Sequence, residues 1–153
     1  MSIFPTKTLL ATDGSKEAQL AATTAADLAK RTGSELHLVS VGHMAPVFYE
    51  SPGTWTLLDR DVQSRIDERA EEAARTILDE QVQRVREAGG EVAGAHARVG
   101  RPDAEIVGLA QELGAGLIVL GSRGLGRLRR ALMGSVSNSV IRHTHCPVLV
   151  VRE

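Results

Sequence analysis

Aromatic side chains are nearly missing from this chain: Phe4, Phe48, Tyr49 and Trp55 are all of them in 153 residues. A core must therefore be built from Ala, Val, Leu and Ile, and small residues suit helices packed closely on a sheet. There is one cysteine, Cys146, so no internal disulfide can form, which fits a reducing compartment. Neither charge is in surplus: 18 Lys and Arg stand against 19 Asp and Glu, a formal net charge of −1. That excludes a basic wrapper of nucleic acid, whose affinity comes from phosphate neutralisation, and an acidic disordered tail. No apolar run approaches the ~20 residues that span a bilayer. No basic N-terminal segment leads into a long apolar stretch, so no signal peptide is expected. Repeats, low-complexity tracts and linkers are absent too. The expectation is one cytoplasmic domain over residues 1–153, long enough to bury about two thirds of its unfolded surface, with neither membrane nor nucleic acid as partner.

What is present is an alternation of short apolar runs and helical periodicities. Thr8 to Ala11 reads as a buried strand stopped by Asp13-Gly14, a turn signal. Ser15 reads as an N-cap, followed at helical spacing by Ala18, Ala21, Ala22, Ala25, Leu28 and Ala29, with Gly33 as the C-terminal cap. Leu36 to Val41 is a second strand, and residues 42–58 form a long loop. Asp59 opens a long helix with apolar positions Val62, Ile66, Ala70, Ala73, Ile77, Val82 and Val85, stopped by Gly89-Gly90. Glu91 to Val99 reads as a third strand. Pro102 sits where a first-turn proline is tolerated, and Gly114 closes that helix. Leu117 to Leu120 is a fully apolar strand, Ser135 to His143 a short helix, and Pro147 to Val151 a last apolar strand. This βαβαβαβαβ order with near-continuous apolar strands means an α/β fold: a parallel sheet with helices on both faces. Ligands of such sheets bind beyond the carboxyl ends of the strands, where the strand order reverses.

The connection after the fourth strand carries the strongest chemical signal. Gly121-Ser122-Arg123-Gly124-Leu125-Gly126 leaves a buried strand, and Gly134-Ser135-Val136-Ser137 enters a helix. Glycines let backbone N–H groups approach an anion, and a helix start offers free N–H groups with partial positive charge. Ser135 and Ser137 add hydroxyl donors. Arg123, Arg127, Arg129 and Arg130 concentrate positive charge in an otherwise near-neutral chain. These are the parts a di- or triphosphate site requires. A Walker-type loop and a G-x-G-x-x-G dinucleotide fingerprint are both absent. A flexible turn bearing a solvated arginine cluster is the plain alternative.

Gly121, Gly124, Gly134 and Ser135 fill the arrangement G-x-x-G, nine residues, G-[ST]. With this motif the chain resembles the universal stress protein family, in its ATP-binding subclass. Asp13-Gly14-Ser15 after the first strand, Gly100-Arg101-Pro102 before the third helix and Cys146-Pro147-Val148 at the last strand are similar to that family in the same order, so the resemblance runs end to end. It implies a five-stranded parallel sheet of order 3-2-1-4-5, a Rossmann-like doubly wound fold, with ATP, aided by magnesium, across the carboxyl edge. Asp13 matches an acidic residue near ribose and adenine, with Thr12 before it in the loop. Val41 matches a position whose backbone contacts the adenine. Gly121, Arg123, Gly124, Gly134, Ser135 and Val136 match positions that line ribose and phosphates. Arg123 stands where many members have His, which keeps a donor and adds a permanent charge.

Other constellations look chemical. Asp13 at a strand end has the place of a response-regulator phosphoacceptor, but no acidic neighbour for magnesium accompanies it. A turn residue bonding its own backbone is the plain reading. His143, His145 and Cys146 have the composition of a metal site, but the spacing is too tight for a tetrahedral zinc and there is no second cysteine. We expect them to close a helix and turn into the last strand, and no metal site is assigned. No Ser-His-Asp arrangement is evident, and Ser137 and Ser139 suit a helix start better than a phosphoryl acceptor. Phe48, Tyr49 and Trp55 suit loop packing or a partner contact better than a lid over a base. The function expected is a nucleotide-dependent switch in stress response or signalling, with slow or no ATP hydrolysis. An adenylating or ATP-hydrolysing enzyme of the same fold and a flavin-binding electron carrier stay open as alternatives, and so do AMP or cyclic AMP as the ligand. Residues 147–151, apolar and uncharged, are expected to pair with a second copy in a homodimer.

Overall fold

The computed structural model describes residues 2–42, 60–122 and 134–153. In chain order the elements are β1 (Lys7–Ala11), α1 (Lys16–Thr32), β2 (Glu35–Gly42), α2 (Arg60–Glu87), β3 (Gly94–Val99), α3 (Pro102–Leu113), β4 (Leu117–Gly121), α4 (Ser135–His143) and β5 (Val148–Val151). All strand pairs are parallel, in the order β3-β2-β1-β4-β5. The expected α/β fold and its strand order are both present.

Local chemistry explains the helix boundaries. Ser15 accepts from the Ala18 N–H at 3.1 Å and so caps α1. Gly33 ends α1 in the left-handed region at φ +66°, where a Cβ would be strained. Gly114 does the same for α3, again at φ +66°. Alternate residues of the strands face opposite sides, and two cores result. Leu10, Leu36, Leu38 and Val119 pack against α1 and α2. Leu9, Val39, Ile118 and Leu120 pack against Ile106, Leu109, Ala110 and Val140 of α3 and α4.

Two details differ from the sequence expectation. The buried stripe of α2 runs through Ala74, Leu78, Val82 and Val85, whereas Ala73 is exposed and Val62 is 41% exposed. A helix of 28 residues is about 42 Å long at 1.5 Å per residue. An eight-residue strand spans only about 26 Å, so the first turns of α2 outrun the sheet. Which of two adjacent alanines faces inward is decided by the i, i+4 row that meets the sheet. The third strand starts at Gly94 rather than Glu91, although the Ala93 N–H already donates to the Leu36 carbonyl at 2.8 Å. The loop 43–58 with Phe48, Tyr49 and Trp55, the helix-opening Asp59, and Arg123, Gly124, Arg127, Arg129 and Arg130 lie outside the described residues.

Candidate functional site

In the order 3-2-1-4-5 the chain runs outward from β1 in one direction and from β4 in the other, so the switch point lies between these two central strands. At their carboxyl ends the chain passes through Thr12, Asp13 and Gly14 on one side and Gly121 and Ser122 on the other. The end of β2, with Val41 and Gly42, adjoins β1.

The β1 loop is built by short-range hydrogen bonds. The Thr12 N–H donates to the Val39 carbonyl at 2.9 Å, which extends the β1–β2 ladder by one residue. Asp13 accepts from the Ser15 N–H at 2.9 Å, an Asx turn of the kind that Asp-Gly sequences favour. Gly14 takes φ +80° and donates its N–H to the Thr12 hydroxyl at 3.3 Å. The turn-residue role of Asp13 and its place at the switch point are therefore found together.

The β4 side is tied to the first turn of α1, which follows this loop, by long-range contacts. The Ser122 hydroxyl donates to Glu17 Oε2 at 2.6 Å. A Cβ on Gly121 would sit 3.0 Å from the Glu17 carbonyl carbon and 3.2 Å from the Ala18 nitrogen, so a larger residue would push β4 away from the start of α1. The Ser122 N–H donates to the Val151 carbonyl at 2.9 Å, and the Gly134 N–H to the Ser122 carbonyl at 2.7 Å. The second of these bonds sets the start of α4 beside the end of β4. Gly134 is the N-cap of α4, and among the described residues no side chain caps the helix. The first-turn N–H groups at Ser135, Val136 and Ser137 are the donors that a helix N-terminus leaves without an intrahelical acceptor, the kind of end that suits an anion.

The hydroxyls here divide by role. Ser135 is exposed. Ser137 is 4% exposed and donates to the Gly121 carbonyl at 2.9 Å, so it fastens α4 to β4. Ser139 donates to Asp103 Oδ2 at 2.7 Å, fastening α4 to the first turn of α3. That bond, and after it the Arg101 guanidinium at 2.8 Å, hold the Asp103 carboxyl down at about 2. His143 ends α4, with Nδ1 2.8 Å from the Ser139 carbonyl oxygen. Cys146 lies half-buried, its sulfur 3.3 Å from the Thr144 hydroxyl. Among the described residues no group of His, Cys, Asp and Glu is arranged to hold a metal ion. Among them also, no helix is long and apolar enough to cross a membrane.

Helix α2 backs the site from beneath. A Cβ on Gly42 would strike the Ala70 carbonyl oxygen, and one on Gly14 would lie 3.5 Å from Ile77. One turn further on, the buried Gln81 accepts from the Thr12 hydroxyl at 3.3 Å. A separate groove of about 590 Å³ opens between α1 and α2 and shares Gln81 with the site. It is lined by residues from Gln19 to Lys30 and from Gln81 to Gly90, whereas the strand-end location brings together Gly121, the Asp13–Gly14 turn and the start of α4. Sequence reasoning missed Glu17, Gln81 and the Asp103–Ser139 tie. Their partners are 105, 69 and 36 residues away in the chain, so no local pattern marks them.

The model of the universal stress protein family matches residues 6–152. The universal stress protein YxiE of Bacillus subtilis is 34% identical over 146 residues, covering 95% of this chain and 98% of that protein. Among solved structures, a universal stress protein in complex with cAMP superposes with a TM-score of 0.66 at 26% identity, covering 95% of this chain and 92% of that one. The universal stress protein from Archaeoglobus fulgidus in complex with dAMP superposes with a TM-score of 0.63 at 26% identity, covering 98% and 99%.

Proposed function

The chain belongs to the universal stress protein family, and from that premise we propose that it binds an adenine nucleotide at the carboxyl ends of β1, β2 and β4. The observation that carries this reading is the N-terminus of α4, begun at a glycine N-cap and set beside the end of β4 by the Gly134–Ser122 hydrogen bond, at the same sheet edge as the Asp13–Gly14 turn. Two similar structures hold cAMP and dAMP, which supports the adenine moiety. ATP with magnesium is the ligand we assign. The α4 start offers several N–H donors for a phosphate chain, and the arginines at 123, 127, 129 and 130 supply charge in proportion to a triphosphate.

In this assignment Asp13 takes ribose and adenine polar groups and Thr12 shapes the turn. Val41 meets the base through its backbone. Gly121, Arg123, Gly124, Gly134, Ser135 and Val136 line ribose and phosphates, and Ser137 acts by holding α4 in place. Bound nucleotide supplies a dense negative charge between the two loops. The residues assigned around it bind and orient through backbone N–H groups, hydroxyls and charge, and no proton-transfer role is assigned to any of them. We assign the activity of a nucleotide-dependent switch in stress response or signalling, with at most slow hydrolysis, working in the cytoplasm on a protein partner.

Assembly belongs to the same proposal. The two edge strands differ: β3 carries the charged Arg98, whereas β5 reads Val-Leu-Val-Val. Charge blunts a sheet edge and an apolar sequence invites pairing. Residues 147–151 are accordingly proposed as the contact of a two-fold homodimer.

The test of the nucleotide reading is to denature purified protein and identify the released small molecules by mass, with ATP, AMP, cyclic AMP and flavin compared by calorimetry on the ligand-free chain. ATP–magnesium is expected to bind most tightly. A yellow protein releasing flavin, or no adenine nucleotide bound by any route, refutes the reading.

A further inference from the structure

Gln81 is an uncharged amide, 4% exposed, in the middle of the apolar stripe of α2. Burying an amide is unfavourable unless it is hydrogen-bonded. Gln81 Oε1 accepts from the Thr12 hydroxyl at 3.3 Å, across 69 residues of chain. The same Thr12 oxygen accepts from the Gly14 N–H at 3.3 Å. A threonine hydroxyl has one hydrogen. Thr12 therefore points its donor inward to α2 and its acceptor at the turn, and its hydroxyl proton is already engaged. Ile77, one helical turn before Gln81, faces Gly14, where an added Cβ would lie 3.5 Å from it, so α2 runs close beneath the loop and meets it through the Gln81–Thr12 hydrogen bond.

We infer that Gln81 is a positioning residue for the nucleotide loop: by orienting the Thr12 hydroxyl it holds the Thr12–Gly14 turn, and Asp13 within it, in the conformation that receives ligand. This rests on the nucleotide reading of the site. Both links are longer than the usual 2.7–2.8 Å of an O–H···O bond and the 2.9–3.0 Å of an N–H···O bond, so the turn is held without being clamped and the effect of losing Gln81 is modest. Leu or Met would satisfy the apolar stripe equally well, and neither would orient the turn.

A double-mutant cycle on the full chain tests this. Gln81→Met keeps an unbranched side chain of similar size without the acceptor, and Thr12→Val removes the hydroxyl with little change of shape. ATP–magnesium affinity is measured by calorimetry, and amide hydrogen exchange at Gly14 is followed in nucleotide-free protein. Gln81→Met is expected to weaken ATP roughly fivefold, the loss corresponding to one ordinary hydrogen bond. Thr12→Val should lose at least as much, and the double variant no more than the worse single, because both remove one linkage. Thr12→Ser, which keeps the hydroxyl, should retain wild-type affinity and its sensitivity to Gln81→Met. Gly14 exchange should quicken in Gln81→Met and Thr12→Val but not in Thr12→Ser, with β1 and β2 amides unchanged. A wild-type protein that binds ATP and a Gln81→Met variant that binds it equally well overturn the positioning role, and so do single losses that multiply in the double variant. A wild-type protein that binds no adenine nucleotide overturns the proposed function instead. In that case Gly14 exchange alone decides: faster exchange in Gln81→Met upholds Gln81 as the residue that positions the loop, and unchanged exchange overturns it.

Discussion

Replacing Ser139 by Ala should cost stability at neutral pH and almost nothing in acid. Ser139 donates to Asp103 at 2.7 Å, and this bond is the largest cause of the carboxyl being lowered from 3.8 to about 2. At about 1.4 kcal/mol per pKa unit the full lowering corresponds to about 2 kcal/mol. Arg101, the second cause, is 79% exposed whereas Asp103 keeps 17% of its side-chain surface. The guanidinium share is therefore screened and counts for little, which leaves about 1 kcal/mol for the hydroxyl. Asp103 is the more acidic in the folded state. Above pH 3.8 it is ionised in both states and its stabilisation is complete. As pH falls toward 2 the unfolded chain takes up the proton first, and the stabilisation is lost. Urea unfolding from pH 7 to pH 2 should show wild type about 1 kcal/mol more stable than Ser139→Ala at pH 7, shrinking to a few tenths at pH 2. Asp103→Asn should remove the same pH-dependent increment. A Ser139→Ala deficit as large at pH 2 as at pH 7 would refute the charge-based account and leave packing as the cause.

Asp13→Ala should weaken adenosine nucleotides by about 1–3 kcal/mol, the loss of a charged hydrogen-bond partner, and inorganic triphosphate far less; equal losses by calorimetry would reassign Asp13 to the fold or the phosphates. His96 is pushed below 6.5 by burial first, then by His37 and Arg98, with Glu112 opposing; its contribution is present above pH 6.5 and lost as pH falls below, because the unfolded histidine protonates first. His96→Gln should flatten that part of the stability profile, and an unchanged slope between pH 6.5 and 5 would contradict it. Gly42→Val would drive a side chain into the Ala70 backbone and should cost about 1–3 kcal/mol by overpacking, read as a drop in melting temperature; an unaltered melting point would mean α2 yields freely. Val150→Lys should turn dimer to monomer or aggregate in sedimentation, and either a wild-type monomer at tens of micromolar or an unaffected variant dimer would exclude the proposed β5 contact.

The motif residues were legible because their signals are local. Ser15, Gly33 and Gly114 cap helices through contacts within a few residues, and the Ser135–His143 helix has the bounds its pattern predicts. Asp13-Gly14 shows its turn in its residue types, since an Asp side chain bonds its own backbone and glycine accepts positive φ. Strand order was different. The apolar runs at β1, β2 and β4 look alike, and nothing in them says which lie side by side; the order came from resemblance to a family. Periodicity marked the buried stripe of α1, but the orientation of individual look-alike side chains was decided by the tertiary structure. Ala73 and Ala74 are the same residue type, and the sheet decides which is buried. Ser135 and Ser137 are alike in sequence, yet one is exposed and the other is drawn to the Gly121 carbonyl. Gln81 reads as an ordinary surface position of a polar helix until α2 lies against β1 and meets Thr12. A hydrogen bond between distant segments depends on the docking of whole elements, and docking is driven by apolar area that has no direction. Sequence periodicity reports which faces are buried; which polar atoms then meet across them is settled by tertiary packing.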